Sequence, residues 1–183
     1  MDKFIVLDTE TTWDNRVMSI GAVVADALTC TPIEAKYYII DPEYRAGGMY
    51  SDALIRKDVG NPIVCSRQKA IQDLLKCINL HKVDSVFAYN AQFDYCHLPE
   101  LTGLKWYDIM RISAYIQYNS KIPKGIPHYS TGRLKSGYGV EPMLRLLSND
   151  NTYFETHNAL RDAVDELKIM RLLGYPPDKY IRL

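Results

Sequence analysis

The sequence predicts an α/β domain, a mixed β-sheet with helices packed on its faces. Two observations carry that reading. Three strand-like segments joined by short turns fill the first 41 residues, and strand–helix alternation follows. No internal repeat or linker interrupts the pattern, so the 183 residues read as one domain, with a core from about residue 3 to 174 and a short C-terminal tail.

Lys3 to Asp8 (KFIVLD) is an apolar run too short for a helix and reads as a buried strand. Asp14-Asn15 marks a turn, and Val17 to Ala25 reads as a second strand, in which Gly21 signals a bulge or a close backbone approach. Thr31-Pro32 breaks the chain before Glu34 to Asp41 (EAKYYIID), the third strand of an antiparallel meander. Pro42 to Pro62 is irregular, with Gly47-Gly48 and Gly60-Asn61-Pro62 as breakers. Ser66 is placed to cap a helix, after which Ala70, Ile71, Leu74, Leu75 and Ile78 recur at helical spacing to about Leu80. Ser85 to Tyr89 (SVFAY) is a buried strand, and a helix from about Ala91 to Gly103 follows with Pro99 as a kink. Trp106-Tyr107 forms a short strand, and Asp108 caps a helix to about Tyr118. Ser120 to Gly139 is a loop with four glycines and two prolines. Two helices close the pattern, Val140 to Leu147 and roughly Asn158 to Leu173, leaving the Pro176-Pro177 tail outside the core.

Composition removes several classes. No stretch approaches the roughly 18–20 apolar residues of a membrane span, so no membrane partner is expected. Met1-Asp2-Lys3 leads into an apolar run that stops at Asp8, which does not read as a signal peptide. Cys30, Cys65, Cys77 and Cys96 show neither CxxC nor zinc-ligand spacing, so reduced, mostly buried thiols in the cytoplasm are expected. With 22 basic and 22 acidic residues the net charge is zero, which argues against a strongly basic, non-specific nucleic-acid binder. Locally, however, Lys105 to Arg145 holds seven Lys or Arg against Asp108 and Glu141.

Three places concentrate acidic chemistry. Asp8 and Glu10 end the first strand, and residues two apart on a strand share a face. Two converging carboxylates repel unless a cation lies between them, and Mg²⁺ or Mn²⁺ prefers such oxygen donors. A polar loop opening is the plain alternative for this motif. Asp94 follows the fourth strand; if that strand runs parallel to the first, Asp94 starts its helix beside the Asp8 strand end, where open α/β sheets collect ligands. A first-turn acid favoured by the helix dipole is the alternative there. His157 and Asp162 open the last helix. Five residues turn about 140°, so the two converge only if His157 lies in the preceding loop or first irregular turn. The carboxylate then suits a metal, and the imidazole suits a base for water. His81 and His97 read as capping or surface residues, and His128 lies in the basic loop.

Taken in order, VLDTETT, NAQFD and HNALRD resemble the three motifs of the DEDDh 3′–5′ exonucleases, which include the proofreading subunit of bacterial DNA polymerase III and ribonuclease T. The match runs from Lys3 to about Gly174, and His157 five residues before Asp162 favours the histidine branch over the tyrosine one. The resemblance implies a ribonuclease-H-like fold with a five-stranded mixed sheet. It also implies two divalent ions, Mg²⁺ or Mn²⁺. Asp8 would bridge both, Glu10 and Asp162 would complete one site, Asp94 would support the other, and His157 would deprotonate the attacking water. A nucleoside 5′-monophosphate would leave a free 3′ end of single-stranded DNA or RNA. Thr9, Thr11, Thr12 and Trp13 of the first motif and Asn90 and Phe93 of the second fall on substrate-binding positions by the same likeness. Asn90 is read as ending the strand and holding its turn, Phe93 as packing beneath the site. A polymerase or replication complex is a further partner the family suggests, and some relatives work as dimers.

Two features depart from the family. Trp13 stands where Gly commonly follows ETT; it either stacks on a base or packs over the second strand. Tyr44 to Asn61 lacks the usual His-Gly pair. Lys121 to Gly139 sets Lys121, Lys124, Arg133 and Lys135 among Tyr129 and Tyr138, which suits either a single strand's phosphates and bases or a merely solvated loop. Three functions therefore compete: an exonuclease on DNA or RNA, a metal phosphodiesterase acting on very short oligonucleotides or a small nucleotide, and a non-catalytic nucleic-acid-binding or polymerase-associated module. Retention of every carboxylate and the histidine favours an enzyme.

Overall fold

A computed structural model describes residues 2–55 and 61–183, so part of the irregular segment, including the breaker Gly60, lies outside the described residues. The expected meander is present as β1 (Lys3–Thr11), β2 (Val17–Asp26) and β3 (Pro32–Ile40), antiparallel throughout. β4 (Ile63–Cys65) adds to β3 in parallel. On the other side of β1 lie β5 (Ser85–Ala88) and β6 (Lys105–Asp108), both parallel, and then β7 (Ile181–Arg182), antiparallel. The order is β4-β3-β2-β1-β5-β6-β7, which puts β1 at the centre.

The sheet therefore has seven strands where five were expected. Both additions are edge strands of two or three residues, too short to show alternation in a sequence; register with an existing neighbour makes them strands. β7 also corrects the reading of the tail. Pro177 and Tyr180 are buried, and the Tyr180 ring meets Phe87 edge-on at 5.4 Å.

Helices cover both faces. Along β1, Phe4 and Val6 belong to one core and Ile5 and Leu7 to the other, as strand alternation requires. The Ile5 face packs on α1 (Arg67–His81), whose Ser66 cap accepts the Lys69 N–H, and on the segment around Leu98 and Leu101. The Phe4 face packs on α4 (Val140–Ser148) and α5 (Ala159–Leu173), which begins at the Asn158 cap. Gly21 explains how closely α5 enters: a Cβ there would collide with the Ala159 backbone.

Two helices are shorter than expected. α2 (Gln92–His97) stops ahead of Pro99, and Pro99–Leu101 continues as a 3₁₀ turn. α3 (Met110–Ser113) is a single turn, and Asp108 accepts N–H groups of both Met110 and Asn90. No helix among the described residues is long and apolar enough to cross a membrane.

Candidate active site

The sheet delivers Asp8 and Glu10 to one place. Both share the parity of Phe4 and Val6 and so face α5, while Thr9 faces the other way. Asp8 is level with Gly21 of β2, against which the Ala159 backbone of α5 packs. Thr9, assigned to substrate, turns inward: its buried hydroxyl donates to Asp94 Oδ1 at 2.7 Å, fixing the α2 carboxylate against β1. The parallel pairing of β1 with β5 is what brings Asp94 here. Asp162 is in the first turn of α5 and 2% exposed.

His157 is outside the helix, as convergence demands. Its φ of 52° lies in the left-handed region, which a non-glycine residue occupies only where its surroundings hold it there. The hold is visible. The ring stacks on Tyr50 at 3.9 Å, and Nδ1 is 4.0 Å from Glu155 Oε1. One ligand atom each of Glu10, His157 and Asp162 lie within 4.8 Å of one another.

Two carboxylate oxygens, Asp8 Oδ2 on β1 and Asp162 Oδ1 on α5, are shielded from solvent and have no hydrogen-bond partner. Burial, then Asp94, Glu166, Asp162 and Glu10, push the Asp8 carboxyl well up. Burial and then Glu155 raise Glu10 to about 8 and Asp162 to about 9. Burial raises Asp94 to about 7 against the opposing Thr9 hydrogen bond. Orphaned buried oxygens on mutually repelling carboxylates fit hard divalent cations, which satisfy the lone pairs and cancel the repulsion together. A second cluster of Glu34, Cys77 and His81 also has ligand atoms within 4.8 Å. There Lys36 is 3.1 Å from Glu34 and Lys3 is 3.5 Å from His81, so lysines already supply the positive charge.

Two carboxylates escaped the sequence reading. Glu155 stands beside His157, and Glu166 is 1% exposed one helical turn beyond Asp162. The spacing of Glu166 from Asp162 was the available signal, since residues four apart share a helix face.

The remaining residues spread around the rim. Thr12 is buried and bonds Asp14 and Arg16, while Thr11 sits half-buried at the register shift ending β1. Trp13 is 71% exposed and so is not part of the core over β2. Phe93 is exposed against His97 and does not pack beneath the site. Asn90 has φ 58° and donates its backbone N–H to Asp108 in the turn after β5. Arg133 lies over Tyr129 and Tyr138 at 5.0 and 5.2 Å, and Lys135 over Tyr129 at 5.7 Å. The Tyr89 hydroxyl donates to the Tyr138 carbonyl and ties this loop to the end of β5.

No protein-family model and no curated protein sequence matches the chain. Solved structures do. The nuclease domain of 3′hExo, a DEDDh family member bound to rAMP, superposes with a TM-score of 0.68 at 14% identity, covering 100% of this chain and 96% of that one. Exonuclease X in complex with 5′ overhanging duplex DNA gives 0.51 at 19% identity, over 96% of each chain. Escherichia coli exonuclease I with a dT13 oligonucleotide gives 0.57 at 15% identity, over 98% of this chain and 42% of that one. Along its whole length the chain is similar in fold to the nuclease domain of the DEDDh 3′ exonucleases.

Proposed function

We propose that the protein is a metal-dependent 3′–5′ exonuclease that removes nucleoside 5′-monophosphates from the 3′ end of single-stranded DNA or RNA. The observation that carries this reading is that ligand atoms of Glu10, His157 and Asp162 lie within 4.8 Å of one another, with buried Asp8 and Asp162 oxygens that have no partner. Similarity in fold to nucleases supports it.

Asp8, Glu10 and Asp162 would hold one divalent ion, and Asp8 with Asp94 a second, either Mg²⁺ or Mn²⁺. Bound there, such ions supply Lewis acidity toward the phosphoryl oxygens and lower the pKa of water. The protein does the rest. Thr9 locks Asp94 in place, and the Tyr50 stack fixes the His157 ring. His157, close to the Glu10 and Asp162 oxygens, takes the proton from the attacking water. Exposed Trp13 and Phe93 offer faces to terminal bases, and Arg133 with Lys135 guides the strand by its phosphates. Four unpaired cysteines are in keeping with a reducing cytoplasm.

The test uses 5′-labelled and 3′-labelled single-stranded DNA and RNA with Mn²⁺ or with EDTA. Metal-dependent release of mononucleotides from the 3′ end is the expected result, and it is abolished in Asp8→Ala. Shortening from the 5′ end, internal cuts, or no cleavage of either polymer would overturn the proposal, the last pointing to a binding module. The DNA and RNA arms settle the sugar preference, which depends on contacts to the 2′-OH.

A further inference from the structure

Glu166 is the buried acid that the four-carboxylate scheme leaves without a role. Its side chain is 1% exposed, and no Lys, Arg or His pairs with it among the described residues. Acids are almost never buried to that degree without a partner. Its position is well defined. Glu166 Oε2 accepts the Tyr89 N–H at 3.0 Å. Tyr89 follows β5, and the parallel register pairs Val6 with Phe87, so two residues on Tyr89 is level with Asp8. Glu166 is thus pinned beside Asp8 on the α5 side of the sheet. Asp162 is one turn earlier on the same helix face, and its Oδ1 is buried without a partner.

We infer that Glu166 is a fifth carboxylate of the metal centre, acting with Asp8 and Asp94 on the second divalent ion. The inference rests on the proposed metal-dependent activity. The charges that face Glu166 agree with it. Asp94 and Asp162 press on Glu166, and after Asp94 it is Glu166 that presses hardest on Asp8. A carboxylate placed only to anchor Tyr89 would gain nothing from that crowding, because a neutral amide accepts the same N–H. A fifth acid also gives the second ion a protein ligand beyond Asp8 and Asp94, which raises affinity in the absence of substrate.

Glu166→Gln separates the two roles, since it keeps an acceptor for Tyr89 and removes the charge. Isothermal titration with Mn²⁺ alone should give two ions on the wild-type protein. In Glu166→Gln one ion should bind as before and the other about 10–100-fold more weakly, the range commanded even by outer partners of a metal. The variant's melting temperature in EDTA should equal or exceed the wild-type value. Two ions bound by Glu166→Gln with wild-type affinities would overturn the role of Glu166 and leave the nuclease reading intact. Loss of both ions together, or a lowered melting temperature in EDTA with unchanged Mn²⁺ binding, would make Glu166 a structural anchor. A wild-type protein that takes up no Mn²⁺ would overturn both proposals.

Discussion

Removing divalent ions should make the protein less stable as pH rises from 6 to 8, against the usual behaviour of a domain whose acids are salt-bridged. Burial, with neighbouring acids adding at Glu10 and Asp162, lifts the carboxyls of Glu10, Asp94 and Asp162 to about 8, 7 and 9. In the unfolded chain they titrate near 4, so by pH 6 the unfolded state has released protons that the native cluster still holds. The native state then binds more protons than the unfolded one, and stability falls with rising pH until the folded values are passed. Exposed Asp14, Asp26 and Asp150, whose carboxyls are lowered by hydrogen bonds, act in the opposite sense only at acid pH, which leaves 6 to 8 clear. Because the acids form one cluster, a single shared proton is the conservative count. It is worth about 1.4 kcal/mol per pH unit, or about 3 kcal/mol over the window. At about 2–4 °C per kcal/mol for a chain of this size, the melting temperature should drop by about 6–12 °C. Melting curves followed by circular dichroism in EDTA measure this directly. Saturating Mg²⁺ should remove most of the slope, since the ion replaces the proton. A melting temperature in EDTA that is flat or rises between pH 6 and 8, or an equal slope with Mg²⁺, would refute the reasoning.

Three other outcomes are expected. His157→Ala should lower turnover by about 10²–10⁴-fold, the usual contribution of a general base, while Mn²⁺ titration still shows two ions; wild-type turnover would remove His157 from the chemistry. Charge reversal at Arg133 and Lys135 should raise KM and reduce the slope of log KM against log salt by about 1–2, since each phosphate contact on a single strand contributes about 0.7; unchanged kinetics would make the loop merely solvated. Gly21→Ala should destabilise the domain by about 1–3 kcal/mol, the typical cost of overpacking, because the new methyl meets the Ala159 backbone. Urea unfolding reads that effect, and an unchanged midpoint would mean that α5 can move away from β2.

What the sequence determined by itself was the set of features with local causes. KFIVLD is too short and too apolar to be other than a buried strand, and its period of two put Asp8 and Glu10 on one face before any fold was known. Ser66 marked the start of α1 because a side-chain oxygen at that position satisfies an N–H that the first turn leaves free. Packing decided the rest. β4 and β7 are strands only because β3 and β6 offer them partners. Thr9 and Phe93 exchanged their expected surroundings, one turning inward to Asp94 and the other outward to His97. Glu166 lies outside the three motifs, yet α5 packs so close over Gly21 that this acid is buried beside the sheet, where it accepts the Tyr89 N–H. Polarity is written in the residue, whereas burial belongs to whatever is packed against it. Only the tertiary structure could therefore show that acids beyond the motif surround the four it names.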